Sequence, residues 1–552
     1  MASAPALFTA SRGQTLTYLL AVCPFSIAFL VFINSSVSFV VTDLIGLHDG
    51  EGDAVGTLGF ADELLALAAC PLWGVLSDRI GVRHVCTIGY AIIALALVLF
   101  VQAKNVYPQL LLGRLLFSLG GSAVSTMVTA VLPTVTGKAF RNQAYRASVS
   151  SELTITPERV RRLQNGNSEP TASASPSARL SGFVGLFAGC GALVSLGVFL
   201  PLPARFEKVG LSPTEAIQRS YYLVAVVALI ISVVSFLGLR QLPGEEGKGW
   251  SALRTCHSQK DDQPATLPYW KQLTTAMLLG FRNRSIGLGY VGGFVARASS
   301  VGISLFIPLA VNHYFRVSGL CDEHDPVRGS GLGDIKRACP RAYILASILT
   351  GVSQLVALCA APAFGFLTDK SRRYNVPLLV AAFFGVIGYI WFAQIPNPQF
   401  QGPDGSAVVF LVMGLIGLSQ IGAIVCSLAV LSNGILRVSL DDDAMRKIYD
   451  DEGVLDADAD DRESSEDRPL LAGSVNRRLE HLSHLKGSIA GVYSLYGGAG
   501  ILLLTKLGGT LFDQVSTGAP FYIMAAFNGM LLVVGILAGI LNQVVPVVEV
   551  SV

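Results

Sequence analysis

Twelve apolar runs, each long enough to cross the ~30 Å hydrocarbon core of a bilayer as a helix, recur along this 552-residue chain. They fall at about 16–42, 55–77, 84–102, 107–133, 181–201, 220–239, 286–312, 342–367, 376–394, 406–435, 486–508 and 519–543. Backbone groups in lipid must be paired within the segment or around a closed barrel, and these runs are too long and continuous for barrel strands. The expected fold class is therefore all-α and integral to the membrane. Composition agrees: 14% of residues are charged and 52% hydrophobic, with a mean hydropathy of +0.56. Ordinary globular chains carry ~25% charge, so a soluble fold of this length could not cover its surface. A cytosolic enzyme, a secreted disulfide scaffold and a disordered chain are excluded on the same ground. The net charge of +2 offers no footprint for nucleic acid.

Lys and Arg are roughly three-fold more numerous in the loops on the side of the two termini, which by the positive-inside rule places both termini in the cytosol. The organisation that follows is a tail over 1–15, six spans over 16–239 with a long cytosolic loop at 137–180, and a linker over 240–285. Six more spans occupy 286–543 with an acidic cytosolic loop at 436–485, and a tail covers 544–552. The long loops are basic, Ser/Pro-rich or acidic, compositions that read as linkers with no packed core.

The most specific signal is an internal repeat at a separation of 291 residues. Asp62–Arg79 reads DELLALAACPLWGVLSDR and Ser353–Lys370 reads SQLVALCAAPAFGFLTDK, with eight of eighteen positions identical. Shared Leu and Ala arise readily in apolar helices. Pro71 with Pro362, Gly74 with Gly365 and Asp78 with Asp369, all in register, do not. One six-helix unit is used twice, in parallel orientation.

With these residues in view the chain resembles the major facilitator superfamily. The family's signature after its second helix appears as GVLSDRIGVR, with Gly74, Asp78, Arg79, Gly81 and Arg83, and a degenerate copy, GFLTDKSRR, carries Gly365, Asp369, Lys370 and Arg373. The resemblance implies two six-helix bundles and a cytosolic gate in which each Asp meets neighbouring helix ends and Arg groups. A negative charge at a helix C-terminus is disfavoured unless a cation answers it. GRLLFSLGGSA around Arg114 is similar to a second family motif on the fourth helix, although the usual Gly is Ser118. The fifth helix lacks the Gly-Pro pair of many antiporters. The subgroup it resembles most is fungal multidrug or metabolite carriers with long cytosolic loops.

Charges inside spans cost ~2.5–3.5 kcal/mol at a helix centre on insertion scales, so they face a cavity or a partner. Asp62 and Glu63 on the second span and Arg114 on the fourth lie at similar depth. Arg114 is expected to pair with one of these acids, the carboxylate's protonation being the coupling event; a static ion pair is the other reading. In the second half their counterparts are the neutral Ser353 and Gln354, so packing alone does not require acids. Lys506 on the eleventh span is read as an outer gate bridging to Asp62 or Glu63, or as snorkelling to water. Arg297 lies near the middle of the seventh span, and the resemblance places that helix at the central cavity. Its planar donor fork suits a carboxylate or phosphate, and an intraprotein pair is the alternative. Asn34, Ser419 and Gln420 are further cavity candidates, or helix–helix hydrogen bonds.

Cys321 and Cys339 share a loop on the non-cytosolic side, where a disulfide or two thiols are both open. Cysteines in spans read as packing residues. EDRPLL, with Glu466, Leu470 and Leu471, resembles an acidic dileucine signal read by sorting adaptors, which favours the vacuolar membrane over the plasma membrane. There is no phosphate-binding loop to engage ATP, no metal motif and no call for a cofactor. The sequence reads as a monomeric secondary transporter and not an enzyme. It moves a small organic molecule with or against protons, for efflux or vacuolar sequestration. A non-transporting nutrient sensor and a proton-independent uniporter stay open as alternatives.

Overall fold

The computed structural model describes residues 10–46, 51–152, 176–242, 245, 248–249, 268–319, 340–371, 375–400, 405–455 and 485–544. Arg373, Cys256, Cys321, Cys339, Glu466, Leu470 and Leu471 lie outside the described residues. Among those described there are helices and no strand, and twelve helices are long and apolar enough to cross a membrane. In the first half they are α1 Arg12–Val37, α2 Ala54–Ile80, α3 Val82–Phe100, α4 Val106–Thr136, α5 Ser177–Lys208 and α6 Pro213–Gly238. In the second they are α7 Arg284–Phe315, α8 Ile344–Lys370, α9 Val376–Gln394, α10 Val408–Leu436, α11 Lys486–Phe512 and α12 Ala519–Ile540.

Local chemistry sets several boundaries. Ser11 and Gln14 form a reciprocal capping box at the start of α1, and Ser212 caps α6 with Pro213 as its first residue. Asn283 accepts the Ser285 and Ile286 N–H groups at the start of α7. Between α2 and α3 the chain turns at Gly81, whose φ of 90° is open to glycine at little cost.

Each half has its own apolar interior. Phe29, Phe32, Phe100 and Tyr221 fill the first, and Phe306, Tyr389, Phe521 and Met524 fill part of the second. Large apolar side chains also face outward along the spans, among them Leu64, Leu193, Leu229, Leu355 and Leu411, an arrangement suited to hydrocarbon. The halves meet along two seams, α2 against α11 and α5 against α8.

Among the described residues, parts of the stretches read as linkers are helical. The helix containing α4 runs from Leu111 to Glu152, and the one containing α10 from Val408 to Leu455, into the stretches read as linkers. Residues 138–152 hold no Gly or Pro to stop a helix already nucleated in the membrane. The inter-bundle linker also holds a helix, Tyr269–Arg282. Its Ala276 and Leu279 are buried in a cluster with Tyr290, Leu485 and Ile489, so this part of the linker does have a packed face.

Candidate functional site

The end of the molecule that carries the start of α1 and the end of α12 is sealed by the repeated motif. A Cβ at Gly74 would lie 2.4 Å from the Gly487 carbonyl oxygen and 2.8 Å from Gly491 Cα, so α2 and α11 touch backbone to backbone. One turn further on, the Asp78 carboxylate accepts the N–H of Gly487 at 2.7 Å, the N–H of Ser488 at 2.7 Å and the Ser488 hydroxyl at 2.6 Å. The first turn of α11 has N–H groups with no partner inside the helix, and its dipole favours an anion there. The direct answer to Asp78 is therefore a helix N-terminus, one of the partners the resemblance implied, and not the cation of the dipole argument; the Lys248 charge acts at longer range.

The second copy repeats the design with a different partner. A Cβ at Gly365 would lie 2.9 Å from Gly182 Cα, and Asp369 takes the Arg179 Nε–H at 2.5 Å in the first turn of α5. Around these contacts, the Arg79 guanidinium lies 3.7 Å from the Tyr269 ring centre on the linker helix. Arg83 donates its Nε–H to the Phe236 carbonyl at 2.7 Å and covers the Phe236 ring. Val82, just past Gly81, donates its N–H to Glu245 at 2.8 Å. Lys370 is exposed.

At mid-depth the charged residues separate into two groups. Arg114 is 4% exposed and pairs with Asp62 at 2.5 Å. The same Nη2 also donates to the Asn34 side-chain oxygen, which joins α1, α2 and α4. Ser118 donates to the Asp62 carbonyl and fixes the same crossing. The Arg114 Nε and Nη1 are buried without a hydrogen bond among the described residues. Glu63, the next residue on α2, points elsewhere. It is half-buried, makes no hydrogen bond or ion pair among the described residues, and lies in the fields of Asp62, Arg297 and Arg114. Arg297 of α7 is likewise half-buried, its stem against Gly497 of α11. Asn34 and Gln354 are exposed.

For three residues the contacts match the second of the two readings, a helix–helix hydrogen bond for Ser419 and Gln420 and exposure for Lys506, and not the cavity or gate role. Ser419 does not face the midline: it is 1% exposed and bonded to Asn528 of α12 at 3.1 Å, beside Gly385 of α9. Gln420 is buried in a neutral chain, donating to Ser300 and accepting from Gln354, because an amide inside a span needs partners. Lys506 is exposed and sits 4.1 Å from the Phe60 ring centre; the bridge to Asp62 or Glu63 does not form, Asp62 being already engaged by Arg114. Among the span cysteines Cys23, Cys70, Cys86 and Cys426 are buried, whereas Cys190 is half-buried and Cys359 is exposed on its helix.

The sequence did not point to Gly487, Ser488, Arg179, Tyr269 or Glu245 at the seal, nor to Gly497 and Tyr493 beside Arg297. Backbone donors and glycine contacts carry no signature of their own. Arg179 was visible only as a charge at the start of a span.

The sequence pattern of the Major Facilitator Superfamily matches residues 24–151. The proton:xylose symporter XylE bound to 6-bromo-6-deoxy-D-glucose superposes with a TM-score of 0.54 at 12% identity, covering 96% of this chain and 94% of that one. FucP in its outward conformation superposes with a TM-score of 0.51 at 13% identity, covering 96% and 99%. The fold is that of the major facilitator superfamily. No curated protein matches the chain by sequence. With twelve apolar spans in this fold, the chain is a multi-pass membrane protein.

Proposed function

We propose that this chain is a proton-coupled secondary transporter of a small organic molecule, its two bundles rocking about a mid-depth site. The observation that carries the reading is Glu63. A carboxyl in a span whose repeat counterpart is a neutral Gln, without a partner among the described residues while its neighbour Asp62 is locked to Arg114, is a group kept for exchange. The repeat supports this, because Gln354 occupies the equivalent place and is tied into a neutral hydrogen-bond chain.

In this reading the ion pair of Asp62 and Arg114 holds α1, α2 and α4 as one body, while Glu63 takes and releases the proton. The sealed end is cytosolic, as the charge distribution of the loops indicates, so the cycle stands with the cytosolic gate closed. XylE, of like fold, is a proton:xylose symporter by its own description. The direction proposed here is export from the cytosol, into the vacuole if the EDRPLL segment is read by adaptors and out of the cell if it is not.

The test uses sealed vesicles bearing the wild type, Glu63→Gln or no protein, loaded from a metabolite extract under an imposed pH gradient and compared by mass spectrometry. A metabolite that accumulates only with the wild type and only with the gradient is expected. Equal accumulation with Glu63→Gln would remove Glu63 from coupling, and three identical vesicle sets would overturn the carrier reading.

A further inference from the structure

Two opposite charges stand at mid-depth on opposite halves of the molecule, and neither is answered. Adjacent glycines of α11 bring α2 and α7 to one place: a Cβ at Gly497 would meet Arg297 Cγ at 2.7 Å, and one at Gly498 would meet Leu67, one turn from Glu63, at 3.3 Å, so the two charges lie within each other's field. Among the described residues neither has an ion-pair partner within 4.0 Å, and neither makes a hydrogen bond. This is unlike the rest of the buried chemistry, where Arg114 holds Asp62 and Arg179 holds Asp369. Long, flexible side chains of opposite sign that could reach each other would normally do so, since an unpaired charge away from water is costly.

Arg297 is kept in place by its stem. A Cβ on Gly497 would come within 2.7 Å of Arg297 Cγ, so the side chain lies in a slot on α11 that exists because residue 497 has no side chain. Tyr493, one turn earlier on the same helix, is held by Ser427 through its hydroxyl at 3.2 Å and fills the space over Gly293. The fork of Arg297 is thus presented from a packed wall. The exposed amides of Asn34 and Gln354, one on each half and each with one atom already hydrogen-bonded, carry no charge.

A ligand of one charge would satisfy half of this arrangement. An anion would pair with Arg297 and face Glu63 with like charge; a cation would do the reverse; an uncharged sugar would answer neither. We propose that the substrate is a small zwitterion, an amino acid or a close analogue, whose carboxylate takes the Arg297 fork and whose ammonium group takes the Glu63 carboxylate. The proposal rests on the carrier reading above and adds the substrate class to it. Ammonium and proton then compete for one carboxylate: binding the substrate requires that Glu63 release its proton to the open side, and protonation of Glu63 ejects the ammonium group. Such mutual exclusion is antiport.

The experiment measures binding to the full-length purified protein by thermal shift and exchange in proteoliposomes by counterflow. The probes are the twenty amino acids, the spacing series glycine, β-alanine and 4-aminobutyrate, and blocked partners with the carboxylate amidated or the amine acetylated. A zwitterion of one spacing should bind and exchange, with both blocked forms at least roughly 100-fold weaker, as for a site built around a missing partner. Glu63→Gln should accept the acetylated form about as well as the zwitterion, and Arg297→Gln the amide; a melting transition for each variant shows that it is folded. Blocked forms that bind as well as the parent would overturn the proposal, as would a panel with no binder alongside pH-driven flux of some other metabolite, which leaves the carrier reading standing. Zwitterion binding with no counterflow would instead overturn the carrier reading and keep the site.

Discussion

Replacing Asp78 by Asn should open the sealed end by an amount that can be worked from three contacts. The carboxylate accepts two backbone N–H groups at 2.7 Å each and the Ser488 hydroxyl at 2.6 Å. Hydrogen bonds to a charged acceptor contribute about 1.5–3 kcal/mol each, against about 0.5–1.5 for neutral pairs. An Asn side chain keeps one acceptor oxygen, turns its NH2 toward a donor, and no longer answers the α11 dipole. When the seam opens, residue 78 is hydrated in either variant, so the loss falls on the closed state alone. A net change of about 3 kcal/mol follows, or roughly a 100-fold rise in the open population. Ala490, fully buried one turn into α11, is a suitable reporter. With Ala490→Cys in a cysteine-free background, alkylation by an impermeant maleimide from the terminus side should accelerate by that factor in Asp78→Asn. The matching change Asp369→Asn should do less, because its partner Arg179 has a side chain 34% exposed and water already screens the pair. An unchanged rate in Asp78→Asn, or a larger effect at Asp369, would refute the argument that the α11 N-terminus is what holds the seam.

Gly74→Ala should act on the same reporter for a steric reason: the new methyl would lie 2.4 Å from the Gly487 oxygen, and overpacking of about 1–3 kcal/mol should favour the open state. Arg114→Leu should lower stability by roughly 3–5 kcal/mol, since it strands the buried Asp62, and a second change, Asp62→Leu, should recover most of it; melting curves in detergent check both. Tyr269→Ala, which removes the ring under Arg79 at a partly exposed site, should raise reporter alkylation only a few-fold, about 0.5–1 kcal/mol.

The spans and the repeat were legible because lipid imposes a crude rule that any chain must obey over ~20 residues at a time. Part of the site was legible for the same reason. A charge on α4 must find a partner at its own depth, and residues 62 and 63 were the acids available; which of the two it takes depends on helix rotation, and the structure places Arg114 on Asp62 with Asn34 sharing the bond. The seal was legible as a motif and, through the resemblance, as an Asp meeting a helix end, but its partner residues were not. Asp78 is met by N–H groups 409 and 410 positions away, and every residue but proline has one. The linker helix was hidden by averaging: a short stretch of helical period is diluted by the Pro, Gly and charge around it. For Ser419 both a cavity role and a helix–helix hydrogen bond were open, because the residue type does not say whether a polar side chain faces its own bundle or the midline; its bond to Asn528 is of the second kind.

The continuation of α4 to Glu152 and of α10 to Leu455 changes what a rocking bundle does outside the membrane. The stretches 137–152 and 437–455 extend the two spans by about 24 and 28 Å at the ordinary rise of a helix. They occur in corresponding places of the two halves, so in the carrier reading each bundle carries one helical arm beyond its span. A rotation of roughly 15° would swing the tip of such an arm by about 7 Å. If the bundles rock as proposed, a change at the mid-depth site becomes a displacement that a pair of spin labels on the two arms would measure.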